Sequence, residues 1–211
     1  LILLSCYAYT FPRWADWNQN SRLNLTMAVV DRGVLYIDDY YQGHTQTGDY
    51  AEYGGHIYSD KAPGTAFLGV PFYWAFSAIA RGETFRGLVG RLQGSDAIAG
   101  TLEVGGTGVL PDKVHAAAAL AVVTLAVVTI PSALLGVLLF RFTRALVPSP
   151  LPRAGAVLLY GVATNAFAYS GAFYGHQVVA AALFAAFYLA YGLGRRDDHA
   201  WSVAAIGLLL G

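Results

Sequence analysis

VHAAAALAVVTLAVVTIPSALLGVLLF, running from Val114 to Phe140, holds no acidic or basic residue other than His115. It exceeds the roughly 20 apolar residues that cross the hydrocarbon of a bilayer, and so predicts a transmembrane helix. Pro131 inside it is tolerable where neighbours satisfy the freed carbonyl. Further apolar stretches follow at 154–174, 176–193 and from Trp201 to the last residue, Gly211. Residues 1–12, LILLSCYAYTFP, read as the end of a first span, with Phe11, Trp14 and Trp17 as a headgroup-level aromatic cluster. Both ends fall in apolar text, so the chain reads as a piece of a longer polytopic protein. The expected fold is an all-α polytopic membrane protein.

Composition agrees. The chain is 56% hydrophobic and 12% charged, about half the usual charged fraction of a soluble domain. Formal net charge is zero, so no long-range basic field calls for nucleic acid. The single cysteine, Cys6, excludes an internal disulfide framework, and the five histidines show no metal-binding spacing. The reading calls for no cofactor and leaves a divalent metal open.

Charge orients the spans. Arg141, Arg144 and Arg153 share one short turn, and Arg195 and Arg196 another. The positive-inside rule makes both turns cytoplasmic, with 154–174 and 176–193 as a hairpin between them. The 114–140 helix then enters from outside, and residues 13–113 form a large first extracytoplasmic loop. Within it, the apolar 63–80 segment is expected to be re-entrant or juxtamembrane, since a single crossing would break the charge pattern. Residues 82–113 read as a Gly-rich connector. The spans and their orientation describe a multi-pass protein, and the plasma (inner) membrane is its expected location.

The loop contains the chain's main polar stretch, NQNSRLNLTMAVVDRGVLYIDDYYQGHTQTGDYAEYGGHIYSDKAPG, Asn18 to Gly64. Residues 20–32 predict a helix capped by Asn18, Asn20 or Ser21, with Leu23, Met27 and Val30 forming a narrow stripe and Gly33 as its stop. A narrow apolar stripe beside a membrane suggests a helix lying in the interface; a helix covering part of a soluble domain is the alternative. VLYI and HIY read as short strands between turns. Asn165, inside its span, reads as an interhelical hydrogen bond.

Chemistry can be drawn from this stretch in several ways. Lys61, in the SDKAPG turn before an apolar helix, is a compact cation suited to a phosphate, and Asp60 beside it could orient a nucleophile. Asp49 and His56 supply a carboxylate and an imidazole that could act as base and orienter if they meet. Asp38 and Asp39 read as turn solvation. Asn18, Asn20 and Arg22 serve equally as caps and a solvated cation or as substrate contacts. His176 opens a span, where an ionisable group marks a path or a site. No 20–50-residue period repeats.

This order of parts resembles the GT-C superfamily of membrane glycosyltransferases, most closely glycosyltransferase family 39, of the aminoarabinose transferase and protein O-mannosyltransferase type. The likeness covers residues 1 to about 195, the N-terminal part of such an enzyme. It rests on an amphipathic helix opening an outer loop, a "DKxP" turn and the hydrophobic spans. In that family the loop carries an Asp-Glu pair at the helix start and a Lys-Pro-Pro or His-Pro-Pro motif before an apolar segment. The second motif falls on Asp60, Lys61, Ala62 and Pro63. The first falls on Asn18 and Gln19, where an amide replaces the acid, leaving Asp60, Asp49 or Asp16 to supply the base. An aspartate common after the third span would fall near His176. The resemblance implies transfer of a sugar from a polyprenyl-phosphate donor to a lipid, glycan or protein acceptor on the extracytoplasmic face. It makes Asp60 and Asp49 the catalytic candidates, and Lys61, Arg22, Asn18, Asn20, His56 and His176 the substrate contacts, with membrane lipids around them. A transporter or flippase-like protein and an inactive relative of the superfamily are the rival expectations.

Overall fold

The computed structural model describes residues 1–9, 16–102, 104–106, 108–193 and 199–211. The chain is mostly helical. In order it forms α1 (Ile2–Tyr9), α2 (Trp17–Arg32), strands β1 (Tyr50–Tyr53) and β2 (His56–Ser59), α3 (Gly64–Ala80), α4 (Glu83–Gln93) and α5 (Asp96–Ala99). Then follow α6 (Pro111–Thr124), α7 (Ile130–Phe142), α8 (Pro150–Ala163), α9 (Asn165–Ser170), α10 (Gly175–Gly192) and α11 (His199–Leu210). Two runs, Pro111–Ala145 and Gly175–Gly192, are long and apolar enough to cross a membrane. The chain divides into two compact units, Pro12–Thr124 and Leu1–Phe11 with Leu125–Gly211.

In the unit Pro12–Thr124, α2 is central. Its cap is Asp16, upstream of the expected Asn18, Asn20 or Ser21; the Asp16 carboxylate accepts from the Gln19 N–H at 2.9 Å. Gly33 ends the helix in the left-handed region (φ 68°), its N–H reaching the carbonyls of Ala28 and Val29. The expectation of an interfacial helix is corrected here: from Gln19 to Ala28 every residue except Arg22 is buried. The polar face goes inside because it is paired. Asn20 donates to Gln46 O (2.7 Å), Ser21 to Asp49 O (2.7 Å), Asn24 to Thr45 O (2.9 Å) and Thr26 to Ala66 O (2.9 Å). Four short polar side chains thus staple the 45–49 loop and the start of α3 onto one helix. Leu25 and Ala28, alternating with these polar groups around the helix, pack with Ile37 and Ala66.

The structure is not wholly helical. β1 and β2 form an antiparallel hairpin closed by Gly54 and Gly55, both at positive φ (60° and 82°), which a two-residue turn of this hand requires. VLYI does not form a strand; only Tyr36 makes an isolated bridge, to Tyr58, while Ile37 is buried. The 63–80 segment is one helix, α3, which buries Ala66, Tyr73 and Phe76 and leaves Phe67, Leu68, Phe72, Trp74 and Ile79 exposed. The 82–113 connector contains α4, with Phe85, Leu88, Val89 and Leu92 at i, i+3, i+4, i+7. That pattern, rather than the α2 stripe, is the amphipathic one.

In the second unit, the run through α7 contains a π-helical turn at Leu125–Thr129. Pro131 has no N–H to offer the Val127 carbonyl, and a wider turn just before it accommodates the loss. Thr129 ties this point to Ser170 O at 2.8 Å, while Phe142 packs its ring on Phe184, Phe187 and Tyr191 at 5.3–5.8 Å. α7 and α10 therefore run side by side in the same direction, with their C-terminal ends together. The expected 154–174 span is broken at Thr164, which caps α9 by accepting from the Ala166 N–H and donates to Tyr160 O. Asn165 is exposed at that break, not engaged between helices. Phe11 and Trp14, and Arg195 and Arg196, lie outside the described residues.

α1 lies against glycines. Leu3 and the Tyr7 hydroxyl, which donates to Gly161 O at 3.2 Å, occupy the space a side chain on Gly161 would need. Gly161→Leu is expected to expel α1 and destabilise this unit by about 1–3 kcal/mol, the usual cost of overpacking. A thermal melt in detergent checks this; an unchanged midpoint would show that α1 does not contribute to the core.

Candidate active site

The hairpin register positions the site. Tyr50 pairs with Ser59, so Asp49 and Asp60, the next residue on each strand, meet at its open end. Ser21 fixes that end from α2: its hydroxyl donates to Asp49 O and lies 2.7 Å from the Ser59 hydroxyl. The 45–49 loop reaches this position by crossing Trp17 at Gly48, where a Cβ would come 2.7 Å from the indole. Thr47 holds the crossing by donating to Trp17 O (2.7 Å) and accepting from the Asp49 N–H (3.0 Å).

Lys61 Nζ sits between the two carboxylates, 2.9 Å from Asp49 and 3.2 Å from Asp60. The side chains are 21%, 29% and 36% exposed respectively, so the cluster is open to solvent on one side. Arg22 completes it. Its guanidinium donates to Ala62 O (2.9 Å) and to the Asn18 side-chain oxygen one turn back (3.1 Å). Burial pushes the arginine below its ordinary value, with Asp60 and then Asp49 opposing. The Asp49 hydrogen bond, followed by that of Asp60, holds the Lys61 ammonium above its ordinary 10.5. Two cations and two carboxylates therefore meet at the N-terminal end of α3, whose outer face is aromatic and exposed.

Five of the eight sequence candidates, Asn18, Arg22, Asp49, Asp60 and Lys61, are in this cluster. Asn20 is close by but buried, fastening the loop through Gln46 O. His56 is elsewhere, and the expected pairing of Asp49 with His56 does not occur. His56 sits at the turn end of the hairpin, opposite Tyr53, where Nδ1 lies 2.7 Å from Asp38 and the ring stacks on Tyr36. Asp38 is thus a clamp rather than turn solvation, for its other oxygen accepts from the Ile57 N–H at 2.6 Å. His176 belongs to the other unit, beside Tyr169 and Tyr174. Among the described residues no three His, Cys, Asp or Glu side chains are arranged to hold a metal ion.

No protein-family model, curated protein or solved structure matches this chain. The cluster must be read on its own chemistry.

Sequence reasoning missed Ser21 and Ser59, whose contact depends on a register that no local pattern reveals. It also missed a cavity of about 360 Å³ lined by Asp31, Tyr40, Tyr73, His44 and His115 among others. There Asp31 accepts from both tyrosine hydroxyls, at 3.1 and 2.9 Å.

The Asp38 clamp has a testable pH dependence. Its carboxyl is held below the ordinary 3.8 by the His56 hydrogen bond and then the Ile57 N–H. A depressed pKa adds stability that is complete above the ordinary value and is lost as pH falls through the depressed one. Protection of the Ile57 amide relative to its intrinsic exchange rate should therefore fall only below the ordinary carboxylate range, and Asp38→Asn should lower that protection at neutral pH. Equal exchange in the variant would remove the clamp.

Proposed function

We propose that this chain is part of a membrane glycosyltransferase that moves a sugar from a polyprenyl-phosphate donor to an acceptor hydroxyl. The observation that carries this is the meeting of Lys61 and Arg22 with Asp49 and Asp60 at the mouth of an apolar, aromatic helix. A donor of this kind presents a phosphate, a sugar and a long hydrocarbon tail. Two cations suit the first, carboxylates the acceptor hydroxyl, and the exposed face of α3 the third.

Membrane placement is supported by exposure as well as composition. A buried core helix of a soluble protein would pass the same length and hydropathy test, but only 44% and 11% of the two apolar windows are buried. Exposed apolar surface of this extent is unfavourable in water and neutral in lipid. The parallel course of α7 and α10 supports the multi-pass arrangement, because it brings the 141–153 turn and the end of α10 together, as the positive-inside rule asks. By the same rule the polar loop is extracytoplasmic.

In the reaction, the acceptor oxygen attacks the anomeric carbon while the bond from that carbon to the phosphate oxygen breaks, inverting the centre. The bonding pair stays on the phosphate. The hydroxyl proton passes to Asp49, which the Ser21 and Thr47 contacts hold by its backbone. Lys61 and Arg22 stabilise the charge growing on the leaving phosphate, the contribution that usually dominates such catalysis. Asp60, bonded to Lys61 and the stronger of the two carboxylates acting on Arg22, offsets the charge of both cations before the donor binds. Because Lys61 is raised, its ammonium persists until pH climbs through that raised value. Donor binding should therefore show no alkaline loss from Lys61 below about pH 10; a loss near neutrality would assign the phosphate to another group.

One observation favours a second reading. Asn18 occupies the position where the resembled family has its acid, and its oxygen is already used by Arg22. A relative that binds the carrier lipid without transferring sugar would have this feature. The two readings separate when polyprenyl-phosphate-sugar binding and label release are measured on the same sample.

A further inference from the structure

We infer that the C-terminal ends of α7 and α10 form a second site, one that takes the phosphate of an anionic phospholipid headgroup. This rests on the membrane reading above and is independent of the transfer reaction. The Phe142 ring cluster brings the two helix ends together. Beside it lies a hollow of about 370 Å³ lined by Arg141, Arg144, Tyr188 and Tyr191 among others. A second hollow of about 640 Å³ shares Arg141, Arg144 and Tyr188, and is walled by Arg153 and Pro150. Two guanidiniums thus stand between adjoining hollows at the end of a membrane-length helix.

The helix terminus does not account for them. Its last carbonyls are already satisfied: Thr143 Oγ1 donates to Leu139 O (2.9 Å) and Phe140 O (3.2 Å), and Arg153 donates to Phe140 O. Arg153 is spent on that contact, buried with its guanidinium 4.1 Å over the Phe140 ring. Arg141 and Arg144 have no carboxylate partner among the described residues, nor does the Tyr188 hydroxyl have a hydrogen-bond partner there. Each guanidinium offers a fork of donors matched to phosphate oxygens. A basic hollow between membrane helices at headgroup depth is suited to an anionic lipid. The acyl chains have apolar ground next to it, since Leu134 and Val137 of α7 and Leu183 and Phe187 of α10 are exposed.

The test uses the purified chain in mild detergent and native mass spectrometry, titrated with phosphatidylglycerol and, separately, phosphatidylcholine. Wild type should retain phosphatidylglycerol roughly thirtyfold better, by the usual contribution of two interfacial arginines. The R141Q/R144Q pair should bring that ratio near one without changing phosphatidylcholine retention, and R141K/R144K should keep most of it. An unchanged preference in the glutamine pair would overturn the site. So would displacement of the lipid by millimolar glycerol phosphate, which would assign the arginines to a soluble phosphate. Should the glutamine pair fail to fold, photoreactive phosphatidylglycerol on wild type decides: labelling beside Tyr188 supports the site, and labelling only elsewhere refutes it.

Discussion

Lys61→Met should reduce sugar transfer by about 10²–10³-fold, the loss typical of removing one preorganised group that stabilises developing charge. Lys61 is the hub of the cluster, bonded to Asp49 and Asp60 at once. Methionine keeps the length and removes the charge, so the donor phosphate loses its nearest cation. The two carboxylates then face each other with only Arg22 nearby, and repel the phosphate as well. Donor affinity should therefore fall together with the rate. Arg22→Gln should do less, because two of its donors already serve Ala62 O and Asn18. Insertion and the melting midpoint of the other unit should not change, since Lys61 lies in Pro12–Thr124. Undiminished transfer by Lys61→Met would remove the cluster from the mechanism.

The second large effect separates the carboxylates. Asp49→Asn is expected to lower transfer by about 10²–10⁴-fold while donor binding holds or improves, as befits loss of a general base. Asp60→Asn should lower it far less, because that residue acts through the cations. Both substitutions keep the shape of the turn and remove one charge. Their ratio, measured in one assay, assigns the roles; an inverted ratio would make Asp60 the base.

Much of this was legible in the sequence, and the exceptions have physical reasons. Apolar length predicts the stretches 114–140 and 176–193, and the helical runs Pro111–Ala145 and Gly175–Gly192 cover them. Gly33 marks the end of α2 because only glycine readily takes its positive φ. The Lys61 turn was identified from residue type and from the apolar helix behind it. The orientation of α2 was not. Its Asn20, Ser21, Asn24 and Thr26 look solvent-facing in a helical pattern, yet each finds a backbone carbonyl supplied by residues more than 20 positions away. Periodicity reports polarity; it cannot report pairing. The same limit explains His56, whose carboxylate proved to be Asp38: that residue reaches β2 from the segment that Tyr36 and Ile37 bond to the strand, a contact between distant residues that leaves no local pattern. The break at Thr164 has no mark in the composition, because apolar residues continue on both sides of it while the Thr164 hydroxyl caps a new helix.

Release of label from a radiolabelled polyprenyl-phosphate hexose, by the protein in nanodiscs, tests the central claim most directly. Wild type should release the sugar and Asp49→Asn should not, with both retaining the lipid. Retained lipid and no release from wild type would contradict transfer and leave a carrier-binding protein.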